Sequence, residues 1–189
     1  MYTLPGRSLA DIPVLETPRL VLRASRLEDF DAQFAMWQDE TYVRFIGNRK
    51  RSSGEVWQTI QRNIGAWALY GFGYLVAEDR KTGDFVGECG FMISRRGEIS
   101  PALPVEPEAG WGITPAYWGK GIVLEAMSAM IDWAEAQDAR FPAHCIIDPE
   151  HVASTRIAEK LGFTFHSTLP FGENASTNLF VRNSSRERD

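Results

Sequence analysis

A short glycine-bearing segment, Trp118-Gly-Lys-Gly-Ile-Val123, carries the residue types and spacing that most directly suggest chemistry. Residues 108–114 before it alternate as a strand does, and residues 121–137 after it have helical spacing. A strand that leads through glycines into a helix presents unpaired backbone N–H groups and the positive end of the helix dipole to an anion. The segment therefore predicts a site for a phosphate or a pyrophosphate.

Two better-known phosphate motifs do not fit this segment. Lys120 is followed by Gly121 and not by the Ser or Thr that would hold magnesium in G-x-x-x-x-G-K-[ST], and the spacing G-x-G-x-x-G is not met either. These differences argue against a nucleoside triphosphatase and a dinucleotide dehydrogenase. They favour a metal-free pyrophosphate held by main-chain amides, and coenzyme A carries such a group.

Three side chains outside the turn could assist acyl transfer from a coenzyme A thioester. If the acceptor is an amine, as the family resemblance given below implies, the reaction needs a base for the ammonium group, a polarised carbonyl and a proton for the leaving thiolate. Glu108 is the favoured base, because it begins the strand that leads to the turn and shares a face with Gly110 and Gly112. Glu88, an acid inside an apolar strand, is the alternative base, and Ser154 is the candidate hydroxyl near the sulfur.

Each of these residues also has an ordinary structural interpretation. Glu108 could be a solvated carboxylate at a strand end, and Glu88 could form an ion pair with an arginine. Ser154 could bond to nearby backbone at the start of a helix. His151 could bind the substrate or cofactor, or could simply be solvated. The two glycines on the face of Glu108 indicate a close approach to that backbone, by a ligand or by a packed element.

The periodicity of the chain predicts the elements that must position these residues. Strands are predicted over residues 15–23, 73–78, 85–93, 108–114, 141–147, 163–167 and 178–182, and helices over residues 28–40, 54–69, 121–137 and 149–161. Periodicity alone supports an α/β or α+β class.

Composition limits the class of protein. The length of 189 residues suits one domain, expected over residues 15–182, with flexible segments at residues 1–14 and 183–189. The formal charge of -5 gives no basic footprint for nucleic acid, and no apolar run reaches membrane-spanning length. Two cysteines in apolar surroundings suggest buried thiols and a cytoplasmic location.

Three segments together resemble the GNAT superfamily of N-acetyltransferases. Trp118-Gly-Lys-Gly-Ile-Val123 resembles its acetyl-CoA motif, and Leu15-Glu-Thr-Pro-Arg-Leu-Val-Leu-Arg23 resembles an opening strand of that superfamily. Residues 148–163, which end in Glu-Lys-Leu-Gly-Phe163, resemble its second motif. The tryptophan of the turn, followed by Glu125-Ala126, is typical of the branch that resembles ribosomal-protein N-terminal acetyltransferases.

The resemblance implies a mixed α/β fold of the acyl-CoA N-acyltransferase type, with a mostly antiparallel twisted sheet and about four helices. It implies acetyl-CoA as co-substrate, no metal, and a protein N-terminus or a small molecule as the amine acceptor, with a homodimer as a further hypothesis. The residues expected to contact the cofactor are Trp111, Ile113, Trp118, Gly119, Lys120, Gly121, Ile122, Val123, His151 and Ser154.

The chain departs from the family pattern at three places. Val123 stands where Gly or Ala is usual, which would crowd the turn slightly, and His151 replaces the usual Asn. No tyrosine follows Ser154 by one helical turn.

The leading hypothesis is direct acetyl transfer in a ternary complex. A CoA-binding sensor without turnover is the alternative, and a nucleotide-binding module is disfavoured by the chemistry of the turn.

Overall fold

Eight strands form one sheet in the computed structural model, which describes residues 2–96 and 100–182. The strands are β1 Leu15–Glu16, β2 Leu20–Arg23, β3 Tyr74–Asp79, β4 Phe85–Ile93, β5 Pro107–Ile113, β6 Ala143–Ile147, β7 Thr164–Pro170 and β8 Ser176–Arg182. Their spatial order is β1-β2-β3-β4-β5-β6-β8-β7. All neighbours are antiparallel except β5 and β6, which confirms the mixed, mostly antiparallel sheet that the sequence predicts.

Five α-helices connect these strands within the described ranges. They are α1 Phe30–Gln38, α2 Glu40–Val43, α3 Ser53–Tyr70, α4 Ile122–Gln137 and α5 Val152–Lys160. The predicted helix over residues 28–40 ends earlier, because the carboxylate of Asp39 accepts hydrogen bonds from the backbone N–H groups of Thr41 and Tyr42 and so begins α2. None of the helices in the described ranges is long and apolar enough to cross a bilayer.

The prediction of one strand over residues 15–23 is wrong, because the segment folds into a hairpin. Leu15 pairs with Leu22 across it, and the backbone N–H of Thr17 donates to the carbonyl of Leu20. Pro18 lies in the turn, where its missing N–H interrupts no strand ladder.

The two parallel strands diverge immediately after they meet. The only residues that pair between β5 and β6 in the described chain are Glu108 and His144, near the start of each strand. Beyond this pair the carboxyl ends of the strands separate, and the chain continues from them into α4 and α5. The sheet therefore contains a wedge that opens toward the first turns of these two helices.

The core lies mainly between the sheet and α4. The apolar stripe predicted for that helix is buried, and it comprises Val123, Met127, Met130, Ile131 and Ala134. Burial of each large apolar side chain contributes about 1.5–3 kcal/mol. Cys89 and Cys145 are free and buried as expected, and burial raises the pKa of the Cys89 thiol to about 12.

The predicted flexible ends are only partly visible in the described residues. Near the amino end, the backbone N–H groups of Leu4 and Arg7 donate to carbonyls of Tyr70 and Trp67 at the end of α3. The predicted tail at residues 183–189 lies outside the described residues.

Candidate active site

The glycine turn has the open backbone that the sequence predicts. Gly119 and Gly121 both have positive φ, at 71° and 72°, a conformation that other residues rarely adopt. A Cβ atom on Gly119 would meet no atom within 4 Å, so the space in front of the turn is free. Gly121 is the N-cap residue of α4 and has no side chain to cap it, which leaves the amides of the first turn available to another acceptor.

A hydrogen-bonded brace fixes this turn against the β1–β2 hairpin. The carboxylate of Glu125 accepts a hydrogen bond from the hydroxyl of Thr17 at 2.6 Å. It also accepts two from Arg19, one from the backbone N–H at 2.8 Å and one from the side-chain Nε at 2.5 Å. The Nη1 of Arg19 also donates to the carbonyl of Lys120 at 2.7 Å. Burial opposes ionisation of Glu125, but these hydrogen bonds outweigh it and lower its pKa. The sequence analysis noted Glu125 only as part of a family pattern and missed Arg19.

The remaining side chains of the turn are engaged by the protein itself. Trp118 donates from Nε1 to the carbonyl of Ile113 at 2.8 Å, and Lys120 donates from Nζ to the carbonyl of Ala116 at 2.8 Å. The side chains of Ile122 and Val123 are buried in the main core. The expectation that Val123 crowds the phosphate position is therefore wrong, because its side chain packs inward and only its backbone faces the turn.

A cavity of about 470 Å³ lies along β5, and residues 108–112 of that strand line it. Four of the predicted site residues line it, namely Glu108, Trp111, His151 and Ser154, together with the alternative base Glu88. The turn residues and Ile113 are not part of its lining, and the side chain of Ile113 is buried in the core. The structure thus divides the predicted site into a turn that follows β5 and a cavity that lies along the strand.

Glu108 is fully engaged by an arginine within the cavity. The Nη2 and Nε atoms of Arg96 donate to its two carboxylate oxygens at 2.8 and 3.2 Å. The Nε2 of His144 is 3.8 Å from Oε2 of Glu108, which is longer than a hydrogen bond. Burial opposes ionisation of Glu108, but its contacts with His144 and Arg96 outweigh burial and lower its pKa to about 2. A carboxylate with so low a pKa is a weak base.

Glu88 has the opposite environment. Its side chain is buried, and its Oε2 accepts hydrogen bonds from the amides of Gln33 at 2.6 Å and Asn63 at 2.9 Å. None of the hydrogen bonds recorded among the described residues reaches its Oε1. Burial raises the pKa of Glu88, although the charges of Arg62 and Arg51 and the two amide hydrogen bonds act in the other direction. Glu88 therefore combines a raised proton affinity with one unoccupied oxygen on a cavity wall.

Two tyrosine hydroxyls account for the glycines beside Glu108. A Cβ atom on Gly110 would overlap the hydroxyl of Tyr74, and one on Gly112 would overlap the hydroxyl of Tyr42. The group that approaches this backbone is thus part of the protein and comes from β3 and α2. Burial raises the pKa of both phenols, so both stay protonated at neutral pH. The glycine spacing signalled a close contact but could not identify the tyrosines.

Ser154 and His151 line the cavity from the start of α5. The indole Nε1 of Trp111 donates to the hydroxyl of Ser154 at 3.4 Å. The ring of His151 stacks on Phe45, with 4.4 Å between ring centroids. Burial lowers the pKa of His151 despite the nearby carboxylate of Asp148, so the imidazole is neutral at pH 7.

No group of three or more metal-ligating side chains occurs among the residues that the structure describes.

Comparison with known proteins places this geometry in a family. A family model described as an acetyltransferase (GNAT) domain matches residues 19–164. The uncharacterized protein YkkB of Bacillus subtilis is 34% identical over 160 residues, which cover 82% of this chain and 87% of that protein. The uncharacterized N-acetyltransferase YoaA of the same organism is 28% identical over 165 residues, which cover 83% of this chain and 86% of that protein.

Solved structures give the same result. A structure from Bordetella pertussis, assigned to the GNAT-family acetyltransferases, is 32% identical with a TM-score of 0.78 over 90% of this chain and 99% of that one. A ribosomal-protein-S5-alanine acetyltransferase of Vibrio fischeri has a TM-score of 0.71 over 92% of this chain and 97% of that one, but at 18% identity it shows a shared fold alone. From the family match and these similarities, the chain belongs to the GNAT family of acetyltransferases.

Proposed function

We propose that this chain transfers the acetyl group of acetyl-CoA directly to a primary amine within a ternary complex. One observation carries the proposal: open amides of a glycine turn follow the carboxyl end of β5, and Glu88, a buried carboxylate with a free oxygen, pairs with Gly112 near that same end and lines the cavity beside the strand. The wedge between β5 and β6 joins the two. Family membership supports the acetyl transfer, and this geometry supports a direct reaction between two bound substrates.

The backbone amides of residues 119–123 would bind the pyrophosphate. The cavity lining extends along β5 from Glu108 to Gly112, and Glu88 pairs with Gly112, so the acyl arm enters the cavity as soon as it passes the carboxyl end of the strand. Main-chain N–H groups of β5 on the side that faces away from β4 could donate to the thioester carbonyl. Trp111 and Ile113 stay predicted cofactor contacts, through their backbone in the case of Ile113.

Glu88 is the better base on physical grounds. Its raised pKa and free Oε1 suit it to take one proton from the bound ammonium, whereas both oxygens of Glu108 accept hydrogen bonds from Arg96. The neutral amine then attacks the thioester carbon, and the carbon–sulfur bond breaks as the tetrahedral adduct collapses. The second proton lost from nitrogen ends on the sulfur, with the hydroxyl of Ser154 as the proposed relay. Glu108, the base favoured by the sequence, stays a prediction that the Glu88 variant below also tests.

Calorimetry with acetyl-CoA, combined with a free-thiol release assay over a panel of primary amines, tests the proposal. We expect saturable binding of acetyl-CoA and amine-dependent thiol release. Tight binding without thiol release from any amine would favour the non-catalytic sensor, and absence of binding would exclude both. The acceptor panel includes peptides with free N-termini as well as small amines. Homodimer formation stays a prediction that light scattering can check.

A further inference from the structure

The part of the cavity around Glu88 has more positively charged side chains than negatively charged ones. Arg96 is paired with Glu108, but Arg51 and Arg62 also line the cavity. Both lie close enough to Glu88 for their charges to lower its pKa, and neither donates a hydrogen bond to it in the described structure. Two guanidinium groups therefore face a single carboxylate. Asp148, the third acid of the lining, lies in the connection between β6 and α5 and accepts a hydrogen bond from the backbone N–H of Glu150.

Arg51 is held in a fixed position. Its guanidinium lies over the ring of Trp37 at 3.5 Å, and its Nη1 donates to the hydroxyl of Thr59 at 2.9 Å. Its Nε and Nη2 donate to no described residue. A planar guanidinium presents paired donors that match a carboxylate or phosphate. Because stacking has already restricted Arg51, little further ordering is needed when an anion binds.

Arg62 is available in a different way. It lies next to Asn63, whose amide holds the Oε2 of Glu88, but its own side chain is exposed. No hydrogen bond or ion pair from Arg62 is formed with another described residue. Arg62 can therefore approach an anion beside Glu88 without giving up a contact.

The cavity itself suits a small acceptor. Its volume of about 470 Å³ falls within the range of small-molecule sites. Phe171, from the connection between β7 and β8, lines it, and the guanidinium of Arg96 lies 5.8 Å from the centre of that ring. The thioester end must share this space, which leaves room for a molecule of about amino-acid size.

We infer that the acceptor is a small primary amine that carries an acid group of its own, as an amino acid does. Its ammonium faces Glu88, and its acid group binds Arg51 and Arg62. This inference rests on the proposed function and specifies the substrate class of the same site. A carboxylate and a phosphate offer the same anionic oxygens, so the test includes both.

The first experiment measures thiol release from acetyl-CoA with the complete protein and the standard amino acids. Each amino acid is compared with its decarboxylated amine and with its primary carboxamide. The amine of the carboxamide is less basic than that of the amino acid, and the decarboxylated amine is more basic. A preference for the amino acid over both therefore reports the acid group and not basicity. We expect kcat/KM for the best amino acid to exceed both counterparts by about tenfold or more.

A second arm separates the two sources of anionic oxygens. β-Alanine and O-phosphoethanolamine are compared with each other and with ethanolamine. Preference for either acid over ethanolamine supports the inference, and the better of the two identifies the group that the arginines bind.

The matched variants are Arg62→Gln and Arg140→Gln. Both arginines are exposed, and only Arg62 lines the cavity. Loss of the Arg62 charge beside Glu88 acts on every amine, so the informative quantity is the ratio between acceptors. We expect Arg62→Gln to lower kcat/KM for the acid-bearing acceptor about tenfold more than for its decarboxylated amine, chiefly through KM. Arg140→Gln should leave both values unchanged.

Two results would overturn the inference. If neutral-tailed amines or a peptide amide are acetylated as well as any acid-bearing amine, the acceptor needs no acid group, although the proposed function stands. If Arg62→Gln affects all amines equally, the arginine does not bind an acid group. Absence of thiol release from every amine would instead remove the proposed function itself.

Discussion

Glu88 and Glu108 lie in one cavity, yet their pKa values shift in opposite directions. Neutral amides hold Glu88, so burial dominates and raises its pKa. A guanidinium with both donors in place holds Glu108 and lowers its pKa to about 2. Two acids of one type thereby become suited to different tasks, one to bind a proton and the other to stay charged.

Glu88→Gln should reduce turnover by about 100-fold or more near pH 7, where the acceptor amine must lose a proton to react. The loss should shrink as pH rises, because free neutral amine becomes available without a base. The measurement is kcat/KM by thiol release across pH, with calorimetry to show that acetyl-CoA binding is retained. Glu106→Gln, on the exposed residue two positions before Glu108, is the control. Parent-like kinetics of Glu88→Gln, with a large loss in Glu108→Gln, would return the base to Glu108.

At the scale of elements, the proposed phosphate site is a helix start whose shape depends on the glycine turn and on the β1–β2 hairpin. The glycines supply the backbone conformation, and the carboxylate of Glu125 ties the first turn of α4 to the β1–β2 hairpin through Thr17 and Arg19. The hairpin, which the sequence analysis predicted as a single strand, therefore helps to hold the first turn of α4 in position.

Gly121→Asp should greatly weaken acetyl-CoA binding, by roughly 100-fold, because it places negative charge beside the proposed pyrophosphate position. Gly83→Asp is a control, since Gly83 has a φ of 79° in the turn between β3 and β4 and a Cβ atom there would meet no atom within 4 Å, while a Cβ atom on Gly121 would meet only the Nη2 of Arg19 at 3.7 Å. Both variants carry the same cost of a left-handed aspartate, about 1–2 kcal/mol at most. Calorimetry should therefore show loss of affinity in the first variant alone. Equal affinities would mean that the pyrophosphate lies elsewhere.

At the scale of the whole molecule, net charge says little about the site. The chain carries a formal charge of -5, which by itself offers cationic acceptors some attraction. The cavity nevertheless gathers three arginines, because folding brings together residues that are far apart in sequence. The ion pair of Glu108 and Arg96 lies where β5 and β6 begin to separate, so it also contributes to stability.

Glu108 should make unfolding depend on pH. Its pKa is about 2 in the folded protein and about 4.3 in an unfolded chain. It therefore contributes about 3 kcal/mol of stability above the unfolded pKa, and this is lost as pH falls toward the folded value. Urea unfolding between pH 7 and 3 should show a weaker pH dependence for Glu108→Gln than for the parent, with Glu106→Gln behaving as the parent does. An unchanged dependence in Glu108→Gln would contradict the ion pair. The raised pKa of Glu88 has the opposite sign, but it is common to all three proteins and cancels in the comparison.

The sequence by itself determined the glycine turn, the helix that follows it and the mixed α/β class. These features depend on local backbone preferences, such as the positive φ of Gly119 and Gly121, and on the apolar stripe of α4. Family motifs in the expected order supplied much of the remaining fold, but not the β1–β2 hairpin or the start of α2 at Asp39.

Only the tertiary structure decided the chemistry of the cavity. Gln33, which holds Glu88, lies 55 residues away from it in sequence, and Arg96 lies 12 residues from Glu108. A side chain's proton affinity depends on burial and on the charges around it, and spacing along the chain encodes neither. The pairing of strands and helices therefore determined which glutamate gained proton affinity and which tyrosines filled the space beside the glycines. It also determined which arginines of the cavity have no carboxylate bonded to them among the described residues.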